Sequence, residues 1–127
     1  METHDPNDPV AMYMSELDTI KPLAADEEAN LFKELAVSID WDEAREHVAR
    51  RIIEAHLPQV LTIAQKRSAP GIPMLDLIQE GNLGLMKAVK SYAERPIGDF
   101  TSNAATCIDD AIKKAFGWSR GGGEKID

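Results

Sequence analysis

The sequence has one cysteine, Cys107, and so cannot form an internal disulfide, which fits a reducing compartment. It also has no apolar run long enough to span a bilayer. The amino terminus, Met-Glu-Thr-His-Asp-Pro, has neither the positive start nor the apolar stretch of a secretory signal, so a cytoplasmic protein is expected, with no membrane contact. Basic residues are scarce: 14 Lys and Arg stand against 22 Asp and Glu, a formal charge of −8. Because DNA binding rests largely on Lys and Arg displacing counterions from phosphates, this balance excludes a general DNA coat. The acidity is uneven, with 14 acidic and 7 basic side chains in residues 1–75 but 8 and 7 in residues 76–127. The second part could therefore touch nucleic acid locally, with a partner supplying the positive field.

Catalytic signatures are missing as well. The chain carries no phosphate loop, dinucleotide fingerprint or nucleophile elbow. Gly81-Asn-Leu-Gly84 lies inside a helical pattern and lacks the lysine and hydroxyl that would follow a phosphate cradle. The three histidines, His4, His47 and His56, have no second ligand at a metal-binding spacing. Cys107 has Asp109 and Asp110 as its nearest charges, which raise a thiol pKa, so it reads as a small packing residue. No enzyme, no metal and no cofactor is expected.

What is present is helical periodicity, in a chain of 127 residues with room for one hydrophobic core. Five helices and no strands are expected, an all-α compact bundle. Asp8-Pro9 opens the first, as an N-cap acid followed by a proline suited to the first helical position; Val10, Tyr13, Met14 and Leu17 form its apolar face, and Lys21-Pro22 ends it. The second starts near Asp26, with Asp26, Glu27 and Glu28 at its positive end, and buries Leu31, Phe32, Leu35 and Ile39.

Asp40 and Glu43 form a capping box for a long third helix striped by Val48, Ile52, Ala55, Val60 and Ile63, in which Pro58 imposes a kink or break. A Pro/Gly loop at 68–73 leads to a fourth helix from Pro73 to about Ser91, with Ile78, Asn82, Leu85 and Val89 inward. Within it Gly81 and Gly84 each cost about 1 kcal/mol against alanine, and close approach of a neighbouring backbone would offset that. The fifth runs from about Thr101 to Trp118 with Ala104, Ile108, Ala111, Ala115 and Trp118 on one face, and Gly121-Gly-Gly123 marks a flexible tail.

The segment Leu75-Asp-Leu-Ile-Gln-Glu-Gly-Asn-Leu-Gly-Leu-Met86, preceded by Gly71-Ile-Pro-Met74, resembles the most recognisable stretch of housekeeping-type bacterial sigma factors. The similarity continues through Lys87-Ala-Val89, Tyr92, Arg95, Phe100, Ala104, Ile108, Ala111-Ile112 and Ala115. Upstream, Asp8-Pro-Val10, Met12-Tyr13, Pro22-Leu23 and Glu27-Glu28 resemble the family's first conserved helical element. Together they cover roughly residues 8–116. The resemblance implies a region 2-like helical domain at 8–118, divided into a preceding element at 8–39 and a core at 40–118, with flexible residues 1–7 and 119–127.

It also implies a partner. In the family the matching helix docks on the clamp coiled coil of core RNA polymerase, a contact carried here by Leu75, Asp76, Gln79, Glu80, Asn82 and Met86. Independently of the family, positions 75, 79, 82 and 86 follow helical spacing, and the polar members offer donors and acceptors to a basic partner helix.

Immediately downstream the resemblance breaks in one property. Family members use exposed aromatic residues there to capture bases of the promoter minus-ten element. Here the aromatic before Phe100 is replaced in Ile97-Gly98, a tyrosine by Asn103, adjacent tryptophans by Thr106 and Cys107, and an arginine and glutamine by Asp109 and Asp110. Phe100, Ser102 and the basic Lys114 remain as a residual DNA-binding set. Stacking on an aromatic ring is worth roughly 1–3 kcal/mol per base, and Thr, Cys and Asn offer no such platform. Asp109–Lys113 and Asp110–Lys114, each an acid four residues before a base, read instead as a solvated surface. No helix-turn-helix pattern follows that would read an upstream promoter element.

The expected function is a sigma-like protein that binds core RNA polymerase and takes part in or regulates initiation, as a split-sigma partner or a competitor, with promoter DNA bound weakly if at all. Two alternatives use the same residues: a mimic that sequesters an anti-sigma protein, and a minimal sigma factor in which Phe100, Trp118 and Lys114 replace the lost aromatic set.

Overall fold

The computed structural model describes residues 8–36 and 43–118, which form six helices and no strand: α1 Pro9–Leu17, α2 Ala25–Ala36, α3 Glu43–Ala55, α4 Leu57–Lys66, α5 Met74–Glu94 and α6 Phe100–Ala115. The expectations for His4, Ile39, the Asp40–Glu43 capping box and the two chain ends fall outside the described residues.

The sixth helix comes from Pro58, where five were expected. A proline inside a helix would clash with the carbonyl of Glu54, so the chain turns at His56 (φ −105°, ψ 3°) and restarts with Pro58 in the first turn of α4, where no intrahelical N–H is needed. His56 closes one helix through its N–H to the Ile53 carbonyl (3.0 Å) and opens the next by accepting from the N–H of Gln59 (3.0 Å). Beyond the break the buried positions are Val60 and Ala64, with Ile63 only half-buried.

The other boundaries follow local chemistry. The Asp8 carboxylate accepts from the Val10 N–H (3.1 Å), as an N-cap should. α1 ends at Leu17, short of Lys21-Pro22, because the N–H groups of Thr19 and Ile20 tighten onto the carbonyls of Glu16 and Leu17 (both 3.1 Å). α5 runs to Glu94, about a turn beyond Ser91.

α6 terminates in a Schellman turn. Gly117 is left-handed (φ 68°), its N–H reaches the Lys114 carbonyl (3.4 Å), and the Trp118 N–H reaches that of Lys113 (2.8 Å). That reversal folds Trp118 back into the core. Along α6 the buried residues are Phe100, Ala104, Ile108 and Ile112. Ala115 is exposed and Ala111 half-buried, so the inward stripe is rotated from the one expected.

α5 lies at the centre, burying Leu77, Ile78, Leu85, Ala88, Val89 and Ala93 together with both glycines. A Cβ on Gly84 would sit 2.5 Å from the Cys107 carbonyl oxygen and 2.8 Å from the Ala111 Cβ. One on Gly81 would sit 2.7 Å from the Val60 Cγ1. Close approach of α6 therefore accounts for Gly84, and packing of α4 for Gly81. Where α2, α4, α5 and α6 meet, Phe32 and Phe100 have ring centroids 4.8 Å apart, and Tyr92 and His56 close the cluster at 5.3 and 4.9 Å from Phe100.

Candidate partner-binding face

α5 is packed on one side and open on the other. At about 100° per residue, Leu75, Gln79, Asn82 and Met86 fall in one strip along it, Leu83 next to that strip, and Asp76 and Glu80 beyond Leu83. Asp76, Gln79, Leu83 and Met86 are exposed, while Leu75, Glu80 and Asn82 are half-buried. Leu83 (54% exposed) and Met86 (43%) give this polar face an apolar centre. Leu83 was not among the expected contact residues. Its place three residues before Met86 and four after Gln79 was the available signal.

Among the described residues, no side-chain hydrogen bond or ion pair engages Asp76, Gln79 or Glu80. Asn82, expected both inward and on the contact face, lies at the margin, with its Oδ1 buried and unpaired. A buried acceptor without a donor carries a desolvation penalty of about 1–3 kcal/mol, which a donor from outside would relieve. This face can thus offer two carboxylates, an amide and a two-residue apolar centre to a partner.

The residual DNA-binding set does not come together. Phe100 is 4% exposed, enclosed by Phe32, Tyr92 and His56, so its ring is part of the core rather than a surface on which a base could stack. Its hydrophobic environment was hidden from the sequence because the partners lie on two other helices, α2 and α5, and on the turn between α3 and α4. Ser102 is occupied in the N-cap, where Asp99 Oδ2 accepts from its N–H (3.0 Å) and its hydroxyl (3.1 Å). Lys114 lies near the other end of α6, about 20 Å from Phe100 along the axis, and borders α5 instead.

The polar outer side of α6 is internally paired. Asp109 accepts from Arg67 Nε (2.7 Å) and Nη2 (2.8 Å), a two-point bridge from the end of α4, and also from Lys113 Nζ (3.4 Å). Asp110 faces Lys113 (3.7 Å), not Lys114, which corrects the expected pair. The Asp109 carboxyl is held below its ordinary range, first by the Arg67 hydrogen bonds, with burial opposing. Asn103 donates to the Ile97 carbonyl (2.8 Å) and Thr106 to that of Ser102 (3.3 Å). Burial first, then Asp110, pushes the Cys107 thiol up, while Lys87 opposes, so Cys107 stays a protonated packing residue.

The histidines divide. His47 is exposed, and His56 joins α2 to α4, its Nε2 against Glu28 Oε1 (2.5 Å) and its Nδ1 against Gln59 Oε1 (3.0 Å). No group of three His, Cys, Asp or Glu among the described residues could hold a metal ion, and no helix among them is long and apolar enough to cross a membrane.

Residues 52–117 match the family described as Sigma-70 region 2. The chain is 39% identical over 110 residues to RNA polymerase sigma factor SigA of a Bacillus species and 38% over 110 to that of Lactococcus lactis subsp. cremoris. It is 41% identical over 111 residues to that of Listeria monocytogenes. Each alignment takes in 87% of this chain but only 28 to 29% of the relative's length.

Proposed function

The chain belongs to the sigma-70 family through its region 2, and from that premise we propose that it docks on core RNA polymerase with the outer face of α5. The clamp coiled coil is the partner surface. In this reading the protein takes part in or regulates transcription initiation, with promoter recognition and melting weakened or lost.

The observation that carries the reading is that Asp76, Gln79 and Glu80 stand uncommitted beside exposed Leu83 and Met86, on a helix whose other side is fixed in the core. Polar groups already paired within a chain gain little by exchanging partners, whereas uncommitted ones around an apolar centre suit a polar-rimmed interface. The placement of Phe100 in the core and of Asp109 in a bridge supports the loss of promoter chemistry, since the ring is not open to bases and the carboxylate occupies Arg67, a cation that could otherwise meet a phosphate.

Capture of purified core polymerase by the immobilised protein tests the reading. Wild type should retain polymerase, Gln79→Ala should weaken retention, and Glu80→Arg should remove most of it. No capture, or capture indifferent to both changes, would sink it. For the DNA half, a fluorescently labelled minus-ten single strand should respond little to protein with core. A sequence-specific response equal to that of an ordinary sigma factor would show that other residues have replaced the aromatic set.

A further inference from the structure

On the flank of α5 facing α6 the chemistry changes sign. A groove of about 490 Å3 runs between the two helices, with Leu83, Met86 and Ala115 supplying apolar surface and Lys87, Lys90 and Lys114 lining it. Glu80, at one end, is its only carboxylate. In a chain of formal charge −8, three lysines around an apolar groove are a local reversal. Single exposed apolar side chains need no explanation, but adjacent ones in a concave, charge-rimmed setting mark interaction surfaces. We infer that this groove docks a helix of a partner protein, amphipathic and acidic, with its apolar stripe on Leu83 and Met86 and its carboxylates against Lys87 and Lys114.

The geometry suits that occupant. From Glu80 to Lys90 α5 advances about 15 Å, the length of roughly three helical turns. Leu83, Met86, Lys87 and Lys90 stand at i, i+3, i+4 and i+7, the spacing by which one helix reads another. The wall is pre-formed, because at Gly84 α5 and α6 are already at backbone contact and cannot approach further.

A nucleic acid strand is the less fitting occupant, since the groove has no aromatic ring on which a base could stack. A second copy of this chain is also less fitting: its acidic α2 already buries Phe32 and Leu35 in its own core. The inference goes beyond polymerase docking. It names a second partner of opposite charge, on a surface sharing only Glu80, Leu83 and Met86 with the first.

The test uses the full chain and a fluorescein-labelled helical peptide of roughly 15 residues, long enough for three turns with frayed ends. The peptide has leucines at i, i+3, i+4 and i+7 and glutamates on both flanks; its twin carries lysines in place of the glutamates. In fluorescence anisotropy the acidic peptide should bind saturably and at least about tenfold more tightly than its twin, a difference of about 1.4 kcal/mol. Leu83→Gln should weaken it about tenfold, and the double variant Lys87→Glu/Lys114→Glu should reverse the preference, both with unchanged circular dichroism because all three residues are exposed.

Equal binding of both peptides, binding of neither, or a preference untouched by the charge reversal would overturn the inference. So would displacement of the peptide by a single-stranded oligonucleotide, or self-association abolished by Lys87→Glu. Core-polymerase capture should survive the lysine double variant. If capture and peptide binding are lost together, the idea of a separate partner fails while the polymerase reading stands; if the chain never captures polymerase, the peptide measurement still decides this proposal.

Discussion

Along the outside of α6 the polar side chains are occupied within the chain: Asp99 and Ser102 in the cap, Asn103 on the Ile97 carbonyl, Asp109 between Arg67 and Lys113. Along the outside of α5, Asp76, Gln79 and Glu80 are not, and Leu83 and Met86 lie open among them. Two helices that pack at backbone contact thus present opposite kinds of surface. A helix can keep its place in a fold while its outer chemistry is turned inward. The same carboxylate that stabilises the α4–α6 junction also removes Arg67 and Lys113 from any phosphate partner. Substitutions among these paired residues of α6 should therefore be read in stability, and substitutions on the open face of α5 in binding.

The wall common to both faces is where this division should collapse. Gly84→Ala places a Cβ against the Cys107 backbone and the Ala111 side chain, and backbone cannot rotate away. Overpacking of this kind costs about 1–3 kcal/mol, rising where the obstacle is rigid, and the gain in helix propensity returns about 1. A net loss of up to about 2 kcal/mol is expected in urea unfolding. Because α5 would be displaced from α6, polymerase capture should fall with it.

The next effect belongs to α5 alone. Glu80→Arg should lower affinity for core polymerase at least about tenfold, about 1.4 kcal/mol, while stability from the urea midpoint moves by less than about 0.5 kcal/mol. A large stability change with no binding change would reverse the assignment of the two faces.

On α6 the expected pattern is the opposite. Asp99→Ala deletes the carboxylate that accepts from the Ser102 N–H and hydroxyl, and an N-cap of this type is worth about 1 kcal/mol. Thermal or urea unfolding should register that loss, and polymerase capture at saturating protein should not.

How much of this was legible beforehand follows from which interactions are local. Asp8-Pro9 and Pro73 declared helix starts, and Gly81 and Gly84 declared close packing, because caps, prolines and glycines act on their own few residues. The division at Pro58 was visible as a kink or break, but only the turn at His56 decides that two helices result. Gly117 carried an unused signal, a glycine just past the last periodic residue, and reading it would have ended α6 before Trp118.

The role of Phe100 was not legible: its contacts with Phe32 and His56 join it to segments distant in sequence, and Tyr92 completes the cluster from the neighbouring helix. The same holds for Arg67, forty-two residues from Asp109. Helical spacing paired Asp109 with Lys113 correctly and could not see that Arg67 was the nearer cation.

That bridge sets the smallest and most diagnostic of the effects. Arg67 and Asp109 are partly exposed, 20% and 27% by side chain, so solvent screening limits the pair to the upper part of the range for surface bridges, about 0.5–1 kcal/mol. Asp109→Asn keeps the shape and removes the charge, and should destabilise by that amount at neutral pH. The pH dependence follows from the direction of the shift. The folded-state carboxyl lies below its unfolded value of about 3.9, so the stabilisation is fully present above about pH 4 and is lost as pH falls through the folded pKa. The stability gap between wild type and Asp109→Asn should therefore be constant from neutral pH down to about pH 5 and close in the acid range below about pH 4. It should also shrink with added salt, since a partly exposed pair is screened. A gap that persists unchanged in acid would mean that the asparagine variant fails through shape or hydrogen bonding, and that charge pairing is not what closes the outer face of α6.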